Sequence, residues 1–199
     1  MAESMLGLKR SHRCAEVVNA PIESEVTVMG WVQKNRNKGG IIFCDLRDRS
    51  GILQIIFEEE ECGSEVFNKA MKLKQEFCIA VNGILKKRSG AFNESLETGE
   101  LEVRATGLRI LSESETPPFH IEEDSKTKEE LRLKYRFLDL RRPDLQRNLM
   151  IRSKVATTTR NFLAENGFLE IETSILIKSS PEGARDYLVP SREIGRAHV

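Results

Sequence analysis

Two short clusters of basic residues are the first part of this sequence whose residue types and spacing could do chemistry. Lys34, Arg36 and Lys38 alternate along one segment, and residues 86–88 form a second basic run. Lysine and arginine side chains contact phosphates, which positions a nucleic acid without specifying its sequence. A cluster of three charges is more often an ordinary solvated loop, so both interpretations stay open. Two clusters in one module favour a site for RNA or DNA.

Aromatic and amide side chains near these clusters add the second component of such a site. Trp31 and Phe43 lie on neighbouring predicted strands, where an outward aromatic ring stacks on unpaired bases and an inward ring fills a core. We predict that Trp31 belongs to the core, whereas composition leaves both possibilities open for Phe43. Gln54, Asn93 and Glu102 carry amide or carboxylate groups that could recognise base edges.

The sequence contains no residue pattern for nucleophilic or metal chemistry. Its three histidines are far apart, and no serine–histidine–aspartate set, phosphate-binding glycine loop or dinucleotide fingerprint is present. The four cysteines form no CxxC pair, so we expect reduced, mostly buried thiols of a cytoplasmic protein and no metal site. Evidence for the function must therefore come from candidate binding surfaces or from a resemblance to a known family.

Composition limits the class of protein. The chain has 199 residues with 31 basic and 31 acidic side chains. Its apolar runs are far shorter than the roughly 20 residues that cross a bilayer, so we expect no membrane association. Residues 112–130 hold 2 basic and 7 acidic residues around a proline pair, which indicates a linker. We therefore predict a first domain at 1–111, an acidic hinge linker at 112–130 and a second domain at 131–192.

The elements that must position the candidate residues follow one another in a recognisable order. Apolar runs predict strands at 26–33, 41–46, 52–57, 77–85 and 101–111, with a helix at 61–75 between the third and fourth strands. Residues 34–40 are predicted as a loop, and residues 48–51 have turn chemistry. This is the order of an OB-fold, a five-stranded Greek-key barrel that often binds oligonucleotides, although another small barrel or sandwich fits the same order.

The second predicted domain begins with helices. Residues 129–138 are predicted as a short helix and residues 143–165 as a long one, with Pro143 suited to its first turn and Gly167 suited to its end. Residues 168–173 alternate with period two, which predicts a strand. The whole chain is thus expected to be α+β.

Three segments of the second domain resemble one known family. Residues 133–143 (LKYRFLDLRRP) resemble the hinge of class II aminoacyl-tRNA synthetases of the aspartate group, and residues 167–173 (GFLEIET) resemble motif 1 of that class. Residues 180–192 (SPEGARDYLVPSR) are similar to the signature loop of the bacterial-type aspartyl-tRNA synthetases. The resemblance implies an anticodon-binding OB-fold followed by the start of a class II catalytic domain.

The same resemblance implies roles for individual residues. The positions that match family residues in contact with the tRNA anticodon are Arg36, Phe43, Gln54, Arg88, Asn93 and Glu102. Lys38 matches a position that helps to discriminate between tRNAs, and Glu182 matches a glutamate that binds the L-aspartate substrate. The family activates aspartate with ATP and Mg²⁺, transfers it to tRNA and works as a cytoplasmic homodimer.

The sequence departs from the family in three places. Ser174 replaces the motif 1 proline that shapes the dimer interface, and the chain stops before motifs 2 and 3, whose arginines hold ATP. Residues 193–199 equal the translation of a widely used sequencing adapter. We therefore expect a fragment from a chimeric reading frame, with no catalytic residue of its own, weak dimerisation and poor binding of ATP or Mg²⁺. A free-standing OB-fold RNA-binding module is the alternative interpretation.

Overall fold

The computed structural model describes residues 2–90 and 92–176. The chain divides into two units, Met1–His120 and Ile121–Val199. The division falls inside the predicted linker at 112–130. Glu182 and the tail at 193–199 lie outside the described residues, so the expectations about them stay predictions.

Apolar side chains at every second position define the inner side of the first unit. On β1 the buried Val26, Val28 and Val32 alternate with more exposed neighbours, as the period of two requires for one face of a strand. The elements of this unit are a 3₁₀-helix (Glu16–Asn19), β1 (Glu25–Lys38), β2 (Ile41–Arg47), β3 (Ile52–Glu58), α1 (Glu59–Met71), β4 (Cys78–Lys87) and β5 (Leu101–Ser112).

The five strands close into a barrel in the order β1-β2-β3-β5-β4. Closure pairs β3 with β5 in parallel, while the other pairs along the barrel are antiparallel. The predicted OB-fold is therefore confirmed, including the helix between the third and fourth strands. The apolar core sits inside the barrel and extends to Phe67 and Ala70 of α1.

The first strand is longer than predicted. The sequence predicts a basic loop at 34–40, but β1 continues through Lys38, which pairs with Ile41 of β2. The pairing of β1 with β2 shifts its register between Val32 and Lys34. Gly39 and Gly40, both with positive φ, make the turn between the two strands. The loop prediction is wrong because the exposed end of a strand can have the same polar, basic composition as a loop.

Two features outside the inner face hold the barrel together. Asn35 Nδ2 donates to the carbonyl oxygens of Ala70 and Leu73 at 3.0 and 3.1 Å, which ties β1 to the end of α1. Gly83 lies so close to β5 that a Cβ atom there would stand 2.2 Å from the Arg104 carbonyl oxygen. The approach of these two strands therefore depends on the absence of a side chain at that position.

The four cysteines are free thiols, two of them fully buried. Burial raises the pKa of the Cys14 and Cys44 thiols far above their ordinary value, which keeps them protonated and unreactive at neutral pH.

The second unit consists of α2 (Glu129–Lys134), α3 (Arg136–Asp139) and α4 (Pro143–Glu165) among its described residues. The long helix has its predicted bounds. Pro143 stands in the first turn, and Gly167, with φ +84°, follows the last turn. The N–H groups of Gly167 and Phe168 donate to the carbonyl oxygens of Ala164 and Leu163, both at 3.0 Å, which is a Schellman ending.

A buried carboxylate organises the short helices. The Asp139 side chain is fully buried and accepts hydrogen bonds from Arg132, Arg136 and Arg142. Burial alone would raise the pKa of Asp139, but the arginines outweigh it and hold that pKa below its ordinary range. The carboxylate of Asp139 thus holds residues 132–142 together through three arginine side chains.

The strand predicted at 168–173 is wrong. These residues form no strand, and Phe168, Leu169 and Ile171 are between 64% and 85% exposed. Alternation produces a strand only where a neighbouring strand accepts its hydrogen bonds, and the described part of the second unit offers none. None of the described helices is both long enough and apolar enough to cross a membrane.

Asp48 holds the turn between β2 and β3 and connects it to the N-terminal segment. Its carboxylate accepts from the Ser50 hydroxyl at 2.6 Å and from the N–H groups of Ser50, Cys14 and Gly51 at 2.7, 3.0 and 3.3 Å. Burial pushes the pKa of Asp48 upward, but these hydrogen bonds favour the charged form and bring the pKa below its ordinary value.

Replacing Asp48 by alanine should lower the free energy of unfolding by about 1.5–3 kcal/mol, the usual worth of hydrogen bonds to a charged group. Because the folded pKa is lowered, the carboxylate's contribution is present above its unfolded pKa and is lost as pH falls through the folded value. Urea unfolding of the wild type and of Asp48→Ala at neutral pH measures the loss of unfolding free energy. The same measurement on the wild type and on Asp48→Asn between neutral and acidic pH isolates the pH dependence, because asparagine has no carboxylate to titrate. Identical acid dependence in both proteins would contradict the lowered pKa of Asp48.

Candidate nucleic-acid interface

A cleft of about 390 Å³ opens on the outer face of the barrel. Its walls come from all five strands or their ends. The lining residues are Arg36, Lys38, Phe43, Gln54, Arg88, Ser89, Gly90 and Glu102. Five of the six residues predicted to contact an anticodon therefore meet in one place, together with Lys38.

Strand alternation explains why these side chains face outward. On β2 the buried Ile42, Cys44 and Leu46 point to the core, so Phe43 stands on the opposite face, where it is partly exposed. Phe43 pairs with Arg36 of β1 in the register of the sheet. The structure thus decides the open question about Phe43: its ring lines the cleft and does not fill the core.

Barrel closure places an amide beside a carboxylate at the base of the cleft. Gln54 of β3 and Glu102 of β5 are register partners in the parallel pair, although 48 positions separate them in the sequence. Gln54 Nε2 donates to Glu102 Oε2 at 3.4 Å, and the two residues are only 9% and 1% exposed. Because its amide nitrogen faces the carboxylate, the amide orientation of Gln54 is set, and its oxygen remains an acceptor.

The basic side chains around the cleft are held to different degrees. Arg36 Nη2 donates to both carboxylate oxygens of Asp45 at 3.0 Å, and its side chain is 47% exposed. Lys38 is exposed at the end of β1, and Arg88 follows the last residue of β4. The arrangement places three cations at the rim above a polar base, which suits an anionic ligand with hydrogen-bonding edges.

Asn93 is the predicted contact residue that the structure does not bring into the cleft. Its Oδ1 accepts from the Ser95 hydroxyl and the Ser95 N–H at 2.7 and 3.2 Å, which closes a local turn. Asparagine commonly stabilises turns in this way, and spacing alone does not separate that role from base recognition. Its contact with RNA stays a prediction.

The prediction that Trp31 fills the core is wrong. Trp31 is 39% exposed, because it occupies an outward position between the inward Gly30 and Val32. Counting alternation from Val26 and Val28 would have placed it outside. It does not line the cleft.

Three contributing residues escaped sequence reasoning. Asp45 orients Arg36, and Arg104, which does not line the cleft, binds Glu102 at 3.2 Å. Ser89 completes the wall beside Arg88. The signal for Asp45 was present in the alternation of β2, whereas the Arg104 contact depends on the closed barrel. No group of three metal-ligating side chains occurs within residues 2–90 and 92–176.

Comparisons with known families agree with the two units. Residues 26–111 match the family described as OB-fold nucleic acid binding domain, and residues 128–198 match the family described as tRNA synthetases class II (D, K and N).

Two curated relatives are similar over almost the whole chain. The aspartate–tRNA(Asp/Asn) ligase of Lachnoclostridium phytofermentans is 73% identical and the aspartate–tRNA ligase of Agathobacter rectalis 69% identical, each over 192 residues. These alignments cover 96% of this chain and 32% of each relative. The chain therefore spans about a third of the length of the curated relatives it matches.

Solved structures share the fold. Aspartyl-tRNA synthetase from Entamoeba histolytica has a TM-score of 0.78 at 26% identity, covering 89% of this chain and 42% of that protein. Asparaginyl-tRNA synthetase from Pyrococcus horikoshii complexed with asparaginyl-adenylate has a TM-score of 0.75 at 29% identity, covering 88% and 39%. With an OB-fold barrel followed by a segment that matches the class II tRNA synthetases, the chain is similar over almost its whole length to bacterial aspartate–tRNA ligases.

Proposed function

We propose that this chain is part of an aspartate–tRNA ligase and that its barrel binds the anticodon of the tRNA. The observation that carries the proposal is the outer cleft, where Phe43, Gln54 and Glu102 meet beneath a rim of basic side chains. In the proposed reaction the whole enzyme activates L-aspartate with ATP and Mg²⁺ and then esterifies the tRNA.

The cleft offers the chemistry that an unpaired RNA loop needs. The partly exposed ring of Phe43 provides a stacking surface that tolerates any base. The carboxylate of Glu102 accepts hydrogen bonds from base N–H groups, and the amide oxygen of Gln54 adds another acceptor. Arg36 and Lys38 supply positive charge for the backbone phosphates.

A free-standing RNA-binding module is the second candidate, because the barrel alone would suffice for it. The match of residues 128–198 to class II synthetases favours the ligase, since a binding module has no use for a synthetase segment. On this proposal Glu182 binds the aspartate substrate, the enzyme is a homodimer, and it works in the cytoplasm, where bacterial proteins are made.

Phe43→Ala should weaken binding of an aspartate anticodon stem-loop by about 1–3 kcal/mol, because the variant loses the stacking surface. Fluorescence titration with the labelled stem-loop measures the change. Trp31→Ala is the matched control, since it removes another exposed aromatic of the same barrel that does not line the cleft. Equal losses in both variants, or none in Phe43→Ala, would contradict the proposed interface.

Lys38 should influence the choice between aspartate and asparagine anticodons. The two curated relatives differ in this respect by name, and Lys38 lies in the cleft. We expect Lys38→Ala to change the ratio of affinities for the two stem-loops by at least about threefold, because removal of a rim side chain need not weaken both complexes equally. Competition titration gives the ratio. Lys72→Ala, on the exposed end of α1, is the control and should leave it unchanged.

A general RNA-binding module makes a different prediction for the wild-type chain. It would bind unrelated anticodon loops as tightly as the aspartate loop. The ligase proposal requires the aspartate loop to bind more tightly than loops with unrelated anticodons, so equal affinities would contradict it.

A further inference from the structure

Arg104 lies beside the candidate interface and contacts two residues that line it, Glu102 and Ser89. It occupies an outward position of β5, two residues after Glu102, and its side chain is 17% exposed. Its Nε donates to Glu102 Oε1 at 3.2 Å, its Nη1 donates to the carboxylate of Glu58, the last residue of β3, and its Nη2 lies 3.5 Å from the Ser89 hydroxyl. The guanidinium therefore bridges a cleft residue and the end of β3, with Glu61 of α1 at 3.9 Å.

The burial of Glu102 makes a charged partner necessary. A carboxylate that is 1% exposed loses most of its hydration, and an ionised group in that position requires a counter-charge and hydrogen bonds. Gln54 contributes a neutral amide donor. Within the described residues, Arg104 supplies the ion pair to Glu102.

The contacts also fix how the carboxylate is turned. Arg104 binds Oε1 and Gln54 binds Oε2, so both oxygens of Glu102 are pinned and the plane of the group is set. Each carboxylate oxygen has a second lone pair, and Glu102 is one of the residues that line the cleft. The second contact of Arg104, with Glu58, anchors the guanidinium on the side away from Glu102.

We propose that Arg104 is a positioning residue of the RNA cleft, which holds the Glu102 carboxylate oriented for hydrogen bonds from an unpaired base. Arg104 acts through Glu102 and does not touch the RNA. This inference rests on the proposed function, because it presumes that the ligand of the cleft is RNA.

The side-chain amide signals of Gln54 test the positioning without RNA. In ¹H–¹⁵N spectra of the full chain, Arg104→Met should move these signals, because the Glu102 carboxylate is released from its position. Arg47→Met is the matched control, since it breaks the 2.9 Å pair with buried Glu76 on the same barrel without touching the cleft. Unmoved Gln54 signals in Arg104→Met would overturn the inference.

A double-mutant cycle with the aspartate anticodon stem-loop tests the route of action. Glu102→Gln and Arg104→Met should each weaken binding by about tenfold, while the double variant should be at most about threefold weaker than Glu102→Gln alone, because residues that act as one unit are not additive. A double variant about a hundredfold weaker than wild type would mean that Arg104 acts independently, which overturns the inference.

The salt dependence separates this role from a phosphate contact. Arg104→Met should keep the wild-type slope of log affinity against log salt, whereas removal of a phosphate contact lowers that slope by about one. A lowered slope would show that Arg104 binds the backbone directly and would overturn the inference.

Glu58→Gln keeps the test decisive if Arg104→Met does not fold. It loosens the outer anchor of Arg104 and should weaken stem-loop binding by about threefold through the same coupling to Glu102. Glu60→Gln, a little further along the chain in α1, is the control and should have no effect; no difference between the two variants would overturn the inference. If the wild-type chain fails to bind the stem-loop, the proposed function is wrong, while the Gln54 signals still decide whether Arg104 positions Glu102.

Discussion

The parallel pairing of β3 with β5 is the constraint on which the rest of the site depends. It closes the barrel, and it sets Gln54 against Glu102 across a separation of 48 residues in sequence. Alternation sends Phe43 of β2 to the same outer face, so the pairings of β2 with β3 and of β3 with β5 together decide which side chains share the cleft. A slip of one residue in the pairing of β3 with β5 would turn Glu102 into the core, where a carboxylate has no partner.

The polar base and the basic rim of the cleft have different roles in recognition. Glu102 is buried and held by fixed partners, so it suits a contact that must discriminate between bases. Arg36 and Lys38 are exposed, and exposed cations contribute attraction that salt screens. A buried carboxylate is held by arginine in the second unit as well, where three arginines surround Asp139 and stabilise short helices that bury few apolar residues.

Much of the fold followed from hydrophobic patterning, because strand alternation and helix ends depend on local chemistry. The closed barrel, the bounds of α4 and the capping role of Gly167 were predicted for that reason. The absence of a strand at 168–173 and the Arg104 contact could not be predicted, since both depend on what lies beside the segment in space. Trp31 was misplaced although the alternation of β1 contained the answer, because a lone tryptophan was assumed to be buried.

Binding of RNA at the outer cleft is tested most directly by a map of where RNA touches the barrel. Trp31 is the single tryptophan and stands five residues from Arg36 on β1, which is about 17 Å along an extended strand. In an NMR titration of the chain with the aspartate anticodon stem-loop, the signals of Phe43, Gln54 and Glu102 should shift, and the indole N–H signal of Trp31 should not. If the signals near Trp31 shift and the signals of the cleft residues do not, RNA binds elsewhere on the barrel and the cleft is not the interface.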